Sequence, residues 1–337
     1  SFSELLRIFG PFGVYRLAKL LCQRQPRILM YHRFSDSPTH GFVSLSSFEA
    51  QVREISEHYN PITLANLVAV YERSGAMPKN AVVLTVDDGY GDFYDLAFPI
   101  LKKYRVPATV YVTTGFVDGR LWLWPDQVAW LLHQTEEMDH EVTLGPVEIS
   151  AGPMSADNRK AYWSKLIQYM LSIPDCEKHL AIESLAAGCA LELPESAPDA
   201  YSAMNWEQLR ELEEAGIEIG GHTITHPTLG QVDEEQAELE IRGCMEELNE
   251  NLGEKPRTFC YPNGQPSDFQ DFLEPVVERA GFVGAVTAFP DALGTKNRFA
   301  MRRHASSENM FQFYKAITGV EYLGCLIRGK ILLPKVG

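Results

Sequence analysis

Apolar residues along the chain fall into two alternating rhythms. Short β-branched runs come as RILMYHRF (27–34), AVVLTVDD (81–88), ATVYVTT (108–114), IEIGGHT (217–223), TFCYP (258–262), FVGAVTA (282–288) and RFAMRRHA (298–305). Each is bounded by Gly, Pro or Asn signals, as strands are. Between them lie helical patterns: SSFEAQVREISEHY, TLANLVAVYERSG, FYDLAFPILKKY and NWEQLRELEEAG. The last carries Asn205 as N-cap, Gln208 as its capping-box partner and Gly216 as terminator. Residues 233 to 253 form the clearest helix, with Asp233 as cap and Ile241, Met245, Leu248 and Leu252 as the apolar stripe. Its acidic run from Glu234 to Glu254 reads as a solvated face. Strands alternating with helices predict a parallel α/β architecture, and seven strands predict a closed or nearly closed barrel.

The rhythm breaks once, between Thr114 and Ile217, where LWLWPDQVAWLLHQ and NRKAYWSKLIQYML are helical and aromatic and no strand is convincing. This predicts a mainly helical insertion, residues 116–203, after the third strand, on the face where a barrel carries its catalysis. It is either a lid over the site or a stabilising side-pack. Trp122, Trp124, Trp130 and Trp163 within it are candidates to stack on the rings of a ligand, although Trp at helical spacing is more often core.

Composition adds three constraints. At 45% hydrophobic and 22% charged, 337 residues have ample material for one barrel with an insertion. A net charge of −15 argues against nucleic-acid binding. Six scattered cysteines without a CxxC pair point to reduced thiols and a cytoplasmic protein. No apolar run reaches the ~20 residues needed to span a bilayer.

Chemistry concentrates at strand ends. LTVDDGYGDF puts Asp87 and Asp88 side by side, although neighbouring side chains on a strand point to opposite faces. GGHTITHPTL places His222 and His226 four apart at the end of another strand, and Pro227 biases His226 away from helical geometry. Two histidines and one carboxylate make a three-ligand set for a catalytic divalent metal, with positions left for water and substrate. The second carboxylate is then free to take a proton from that water.

TVDDG, HTITHP and FCYPNG together resemble the first three motifs of the polysaccharide deacetylases, the NodB-homology or carbohydrate esterase family 4 enzymes, over about Arg27 to Ser306 apart from the insertion. The resemblance implies a distorted (β/α)7 barrel over 27–320, interrupted by 116–203. It implies metal-dependent removal of an N-acetyl group from an amino sugar, in a surface polysaccharide or its lipid-linked precursor. It assigns Asp87 as general base and Asp88, His222 and His226 as metal ligands, with Zn2+ as the ion and Co2+, Ni2+ or Mn2+ able to substitute. The backbone N–H of Asn263 becomes an oxyanion donor. Tyr261, Pro262, Arg303 and Trp124 become candidate substrate contacts, and His304 or His32 the general acid. Asp291 is a candidate for the family's late acidic residue. The family's usual arginine before the third-motif turn is replaced by Cys260, with Arg257 or Arg303 left to orient the base.

The same site also suits a deformylase, amidase or O-esterase, and a non-catalytic carbohydrate-binding barrel is the reading from another class. Residues 1–26 and 321–337 are basic and apolar against an acidic whole. Such ends suit peripheral contact with an anionic membrane, at its cytoplasmic face, or packing on the barrel bottom.

Overall fold

All seven predicted strands form; each is short, and all but the split last one are buried almost throughout. In the computed structural model, residues 13–37, 41–288, 297–306 and 308–327 are described. The strands are β1 (Arg27–Tyr31), β2 (Ala81–Val86), β3 (Thr109–Val112), β4 (Glu218–Gly221), β5 (Thr258–Cys260), β6 (Gly284–Thr287) and β7, which is split into Met301–Arg302 and His304–Ala305. Every pairing among them is parallel: β7's first half joins β6, then β5, β4, β3, β2 and β1 follow, and β1 pairs with β7's second half. One strand therefore closes the sheet on itself, and its break falls at Arg303.

Burial on both faces explains the near-continuous apolar runs. One set of side chains faces the barrel lumen, among them Ile28, Val83, Tyr111, Cys260, Val286 and Met301. The alternate set, including Leu29, Leu84, Val110, Ile219, Phe259 and Tyr261, packs under the surrounding helices. The lumen floor is polar and saturated. Glu218 Oε2 accepts from Thr109 Oγ1 and the Ala65 N–H, both at 2.9 Å, and Oε1 accepts from Thr258 Oγ1 at 2.5 Å.

The helices follow their sequence signals, with instructive departures. Asn205 and Gln208 form the expected capping box, and Asp233 caps Glu234–Leu252. The single helix expected over 93–104 instead opens as a π-turn, Phe93–Ala97, before Phe98–Tyr104. Pro99 has no N–H for the α ladder at that junction. The insertion carries helices Trp124–Gln134, Ala156–Leu171 and Asp175–Gly188, plus a small hairpin and the antiparallel pair that flanks it, neither of which the sequence pattern revealed. In one of these, Val142, Leu144, Val147 and Ile149 alternate inward around the Gly145 turn, a period-2 signal too short to stand out. The insertion has its own core of residues such as Leu131, Leu166, Met170 and Leu185. Asp291, residues 1–12 and the tail beyond 327 lie outside the described residues.

Gly220 marks the tightest point of the lumen. A Cβ there would sit 2.5 Å from the Thr258 carbonyl oxygen and 2.7 Å from the Tyr111 ring. Gly220→Ala is expected to lower unfolding free energy by about 1–3 kcal/mol through overpacking, measured by thermal or denaturant melts.

Candidate active site

The paired aspartates are reconciled by a turn. Asp87 continues β2's inward set, while Asp88 would point outward on a regular strand. Asp88 instead adopts φ 78° and Gly89 φ 96°, with the Gly89 N–H donating to the Asp87 carbonyl at 3.0 Å. This tight turn swings both carboxylates to one rim. Asp87 is 2% and Asp88 9% exposed. The insertion's returning chain braces the loop: Gly91 N–H donates to Ser202 O and Met204 N–H to Gly89 O, both at 2.9 Å.

Asp88 Oδ1 lies 3.3 Å from His222 Nε2 and 3.4 Å from His226 Nε2. His222 Nδ1 is 2.7 Å from the Cys260 carbonyl, which can only accept, so that nitrogen holds the proton and Nε2 presents its lone pair. Two imidazole nitrogens and a carboxylate oxygen within 4.8 Å of one another fit a divalent cation. Asp87, His222 and Cys260 are also close together, but there the histidine's Nδ1 is taken by a carbonyl and the aspartate by an arginine.

That arginine is Arg303. It is 1% exposed and grips Asp87 in a fork, Nη1 to Oδ1 at 2.6 Å and Nη2 to Oδ2 at 2.7 Å. It also donates to Thr85 Oγ1, to the Thr287 carbonyl and to Cys260 Sγ. Burial pushes the Asp87 carboxyl up, and the guanidinium more than offsets this, holding it below its ordinary value. Arg303 thus meets Asp87 instead of reaching for substrate, while Arg257 pairs with Glu213 at 2.7 Å.

The two candidate acids part company. His32 is half-exposed, and its Nε2 stands 3.7 Å from Asp87 Oδ2. His304 follows Arg303 and so takes the other face of β7, where its Nδ1 meets Glu321 Oε2 at 3.0 Å. It is not brought to either aspartate. The expected substrate contacts also shift. Tyr261 is fully buried, its hydroxyl donating to the Phe299 carbonyl, and Pro262 is buried beside it. Trp124, at 6% exposure, packs within the insertion's core and so offers no open stacking face. Asn263 remains half-buried at the rim with φ 59°.

Two contributors went unread in the sequence. Glu240, assigned there to a solvated acidic face, is 4% exposed. Its carboxylate accepts from the N–H groups of Ile224 and Thr225 and from Thr225 Oγ1, shaping the turn between the two histidines. Its spacing with Ala237, Ile241 and Cys244 was the available signal. Asp126, from the insertion, accepts from the Tyr90 hydroxyl at 2.6 Å beside the aspartate loop.

Residues 74–150 and 196–284 match the family described as polysaccharide deacetylase. The poly-beta-1,6-N-acetyl-D-glucosamine N-deacetylase of Staphylococcus aureus is 37% identical over 75 residues, 22% of this chain and 26% of that protein. Its Staphylococcus epidermidis counterpart is 31% identical over 106 residues, 27% of this chain and 37% of that one. The match thus spans well under half the length of these relatives. Among solved structures, the Streptococcus pyogenes deacetylase PplD in complex with acetate has a TM-score of 0.56 at 19% identity, covering 87% of this chain and 96% of that one. IcaB from Ammonifex degensii has a TM-score of 0.52 at 18% identity, covering 87% and 97%. At these identities the structural likeness is one of fold.

Burial pushes the Asp126 carboxyl up to about 7. A carboxyl raised on folding stabilises the fold while protonated, and that contribution is lost as pH rises through its folded value. Melts across about pH 4 to 8 are expected to show the wild type losing more stability than Asp126→Asn as pH rises; parallel curves would remove Asp126 as the cause.

Proposed function

Since the chain belongs to the polysaccharide deacetylase family, we propose that it hydrolyses the N-acetyl group of an amino sugar within a glycan. The observation that carries this reading is a base held ready beside a metal-competent triad: Asp87 gripped by Arg303, next to Asp88, His222 and His226. A divalent ion on that triad, zinc being the best match to nitrogen and oxygen donors, would polarise the acetyl carbonyl and lower the pKa of a bound water.

The chain's own residues handle the protons. Asp87 accepts one from the attacking water as the new C–O bond forms. Arg303 keeps that carboxylate ionised and aimed. The Asn263 backbone N–H serves the oxyanion. As the C–N bond breaks, the leaving nitrogen takes its proton from His32, favoured over His304 because only His32 lies beside Asp87 and reaches solvent. The products are acetate and a free amino sugar.

The staphylococcal relatives are named for poly-beta-1,6-N-acetyl-D-glucosamine, which supports a poly-N-acetylglucosamine-like polymer as the substrate class; its lipid-linked precursor is the second form we propose. A second feature bears on where it acts. Helix Val14–Leu21 exposes Val14, Leu17, Leu20 and Leu21 on one side, with Arg16 and Arg24 exposed nearby. Among the described residues no helix is long and apolar enough to cross a membrane. Peripheral docking of this helix on an anionic surface suits a lipid-linked substrate. Free thiols at Cys22, Cys176, Cys189, Cys244 and Cys260 favour the cytoplasmic face.

Two measurements test these readings. Zinc-loaded protein is expected to release acetate from N-acetylglucosamine oligomers, with Asp87→Asn slower by at least about a hundredfold while retaining metal. Equal rates would remove Asp87 as base, and full metal retention by Asp88→Ala and His222→Ala would remove the triad. In flotation with anionic vesicles, a Leu17→Ser, Leu20→Ser double variant is expected to bind less than wild type; equal flotation would discard the docking helix.

A further inference from the structure

The insertion buries a lysine against the catalytic rim. Lys178 is 1% exposed, on the helix Asp175–Gly188. Its Nζ donates to Asp175 Oδ1 one turn back, and to Thr228 Oγ1 on the barrel, both at 2.9 Å. The ring of Trp124 lies beneath it, 5.1 Å from Nζ to the centroid. Removing an ammonium from water is costly unless its hydrogen bonds are replaced, and a packing contact between insertion and barrel would be served as well by a leucine. The charge therefore calls for a reason at Thr228.

Thr228 is fully buried and two residues beyond His226. The same hydroxyl oxygen accepts from Asn263 Nδ2 at 3.3 Å. One oxygen atom thus ties together the insertion, the turn that carries His226 and the turn that carries Asn263. Both turns are left-handed: His226 has φ 61° and Asn263 φ 59°, a region few non-glycine residues enter, although Asn and His do so more readily than most. Such conformations persist only where their surroundings over-determine them. A hydrogen bond from a charged donor is worth more than a neutral one, which makes the Lys178 ammonium well suited to pin the shared acceptor.

We propose that Lys178 is a positioning residue, supplied by the insertion, which holds the His226 and Asn263 turns in their left-handed geometry through Thr228. The insertion then acts as a docked part of the rim and not as a freely opening lid. Its kinetic consequence rests on the deacetylase reading above; its structural consequence does not.

Hydrogen exchange on the full chain tests the structural consequence. In Lys178→Met, amides of residues 226–229 and 261–265 are expected to exchange about tenfold faster, while the barrel strands keep their protection. Thr228→Val, which removes the shared acceptor and leaves the lysine in place, is expected to loosen the same two segments, and it decides the matter if Lys178→Met fails to fold. Unchanged exchange at both turns in a folded variant overturns the proposal, as does loosening confined to the insertion. Kinetics then separate positioning from packing. Lys178→Met is expected to lower kcat for acetate release about tenfold with KM within about twofold. A raised KM with unchanged kcat would count against it. Should the wild type release no acetate, the deacetylase reading falls and the exchange result alone decides the role of Lys178.

Discussion

The molecule is organised around a guanidinium placed across the barrel from the carboxylate it serves. β7 breaks at Arg303, so the strand that closes the sheet turns one side chain into the lumen at the point of closure. From there Arg303 reaches Thr85 and Asp87 at β2, Cys260 on β5 and Thr287 on β6. Breaking a buried pair of this kind by removing one partner typically costs about 3–5 kcal/mol, because the remaining charge is stranded. Closure of the fold and the orientation of Asp87 therefore rest on the same contact.

Around that contact the rim is assembled from elements far apart in sequence, each fixed by a backbone device. A three-residue turn at Asp88 brings the second aspartate round beside the histidines. Glu240 caps the N–H groups between His222 and His226. The Cys260 carbonyl sets the tautomer of His222. The insertion closes the circuit through Tyr90, Asp126, Lys178 and the chain at Ser202–Met204. Cys260 stands where the sequence resemblance led to an arginine, and its small side chain leaves room for Arg303 from β7, whose Nη2 donates to Cys260 Sγ at 3.1 Å.

Strand parity explains which residues could be read in advance. Asp87, Cys260 and Arg303 all continue the lumen-facing sets of their strands, and His304 must therefore face outward to Glu321. Had parity been applied to RFAMRRHA, Arg303 would have stayed in the site and His304 been left out of it. Glu240 was hidden by its company, one buried acid in a run of exposed ones, although its place on the apolar stripe was visible. The aromatic residues of the insertion followed the commoner rule and went into cores.

By itself the sequence determined the seven parallel strands, the capped helices, the place of the insertion and the clustering of Asp87, Asp88, His222 and His226 at strand ends. Those features depend on local periodicity, capping chemistry and the direction of parallel strands, all of which are written within a few residues of one another. Only the tertiary structure decided which arginine grips Asp87, which histidine stands beside it, and that a lysine of the insertion reaches Thr228. Those are pairings across the lumen and the rim between residues up to 216 positions apart, and they follow from barrel closure, strand parity and the docking of the insertion, which no local pattern encodes.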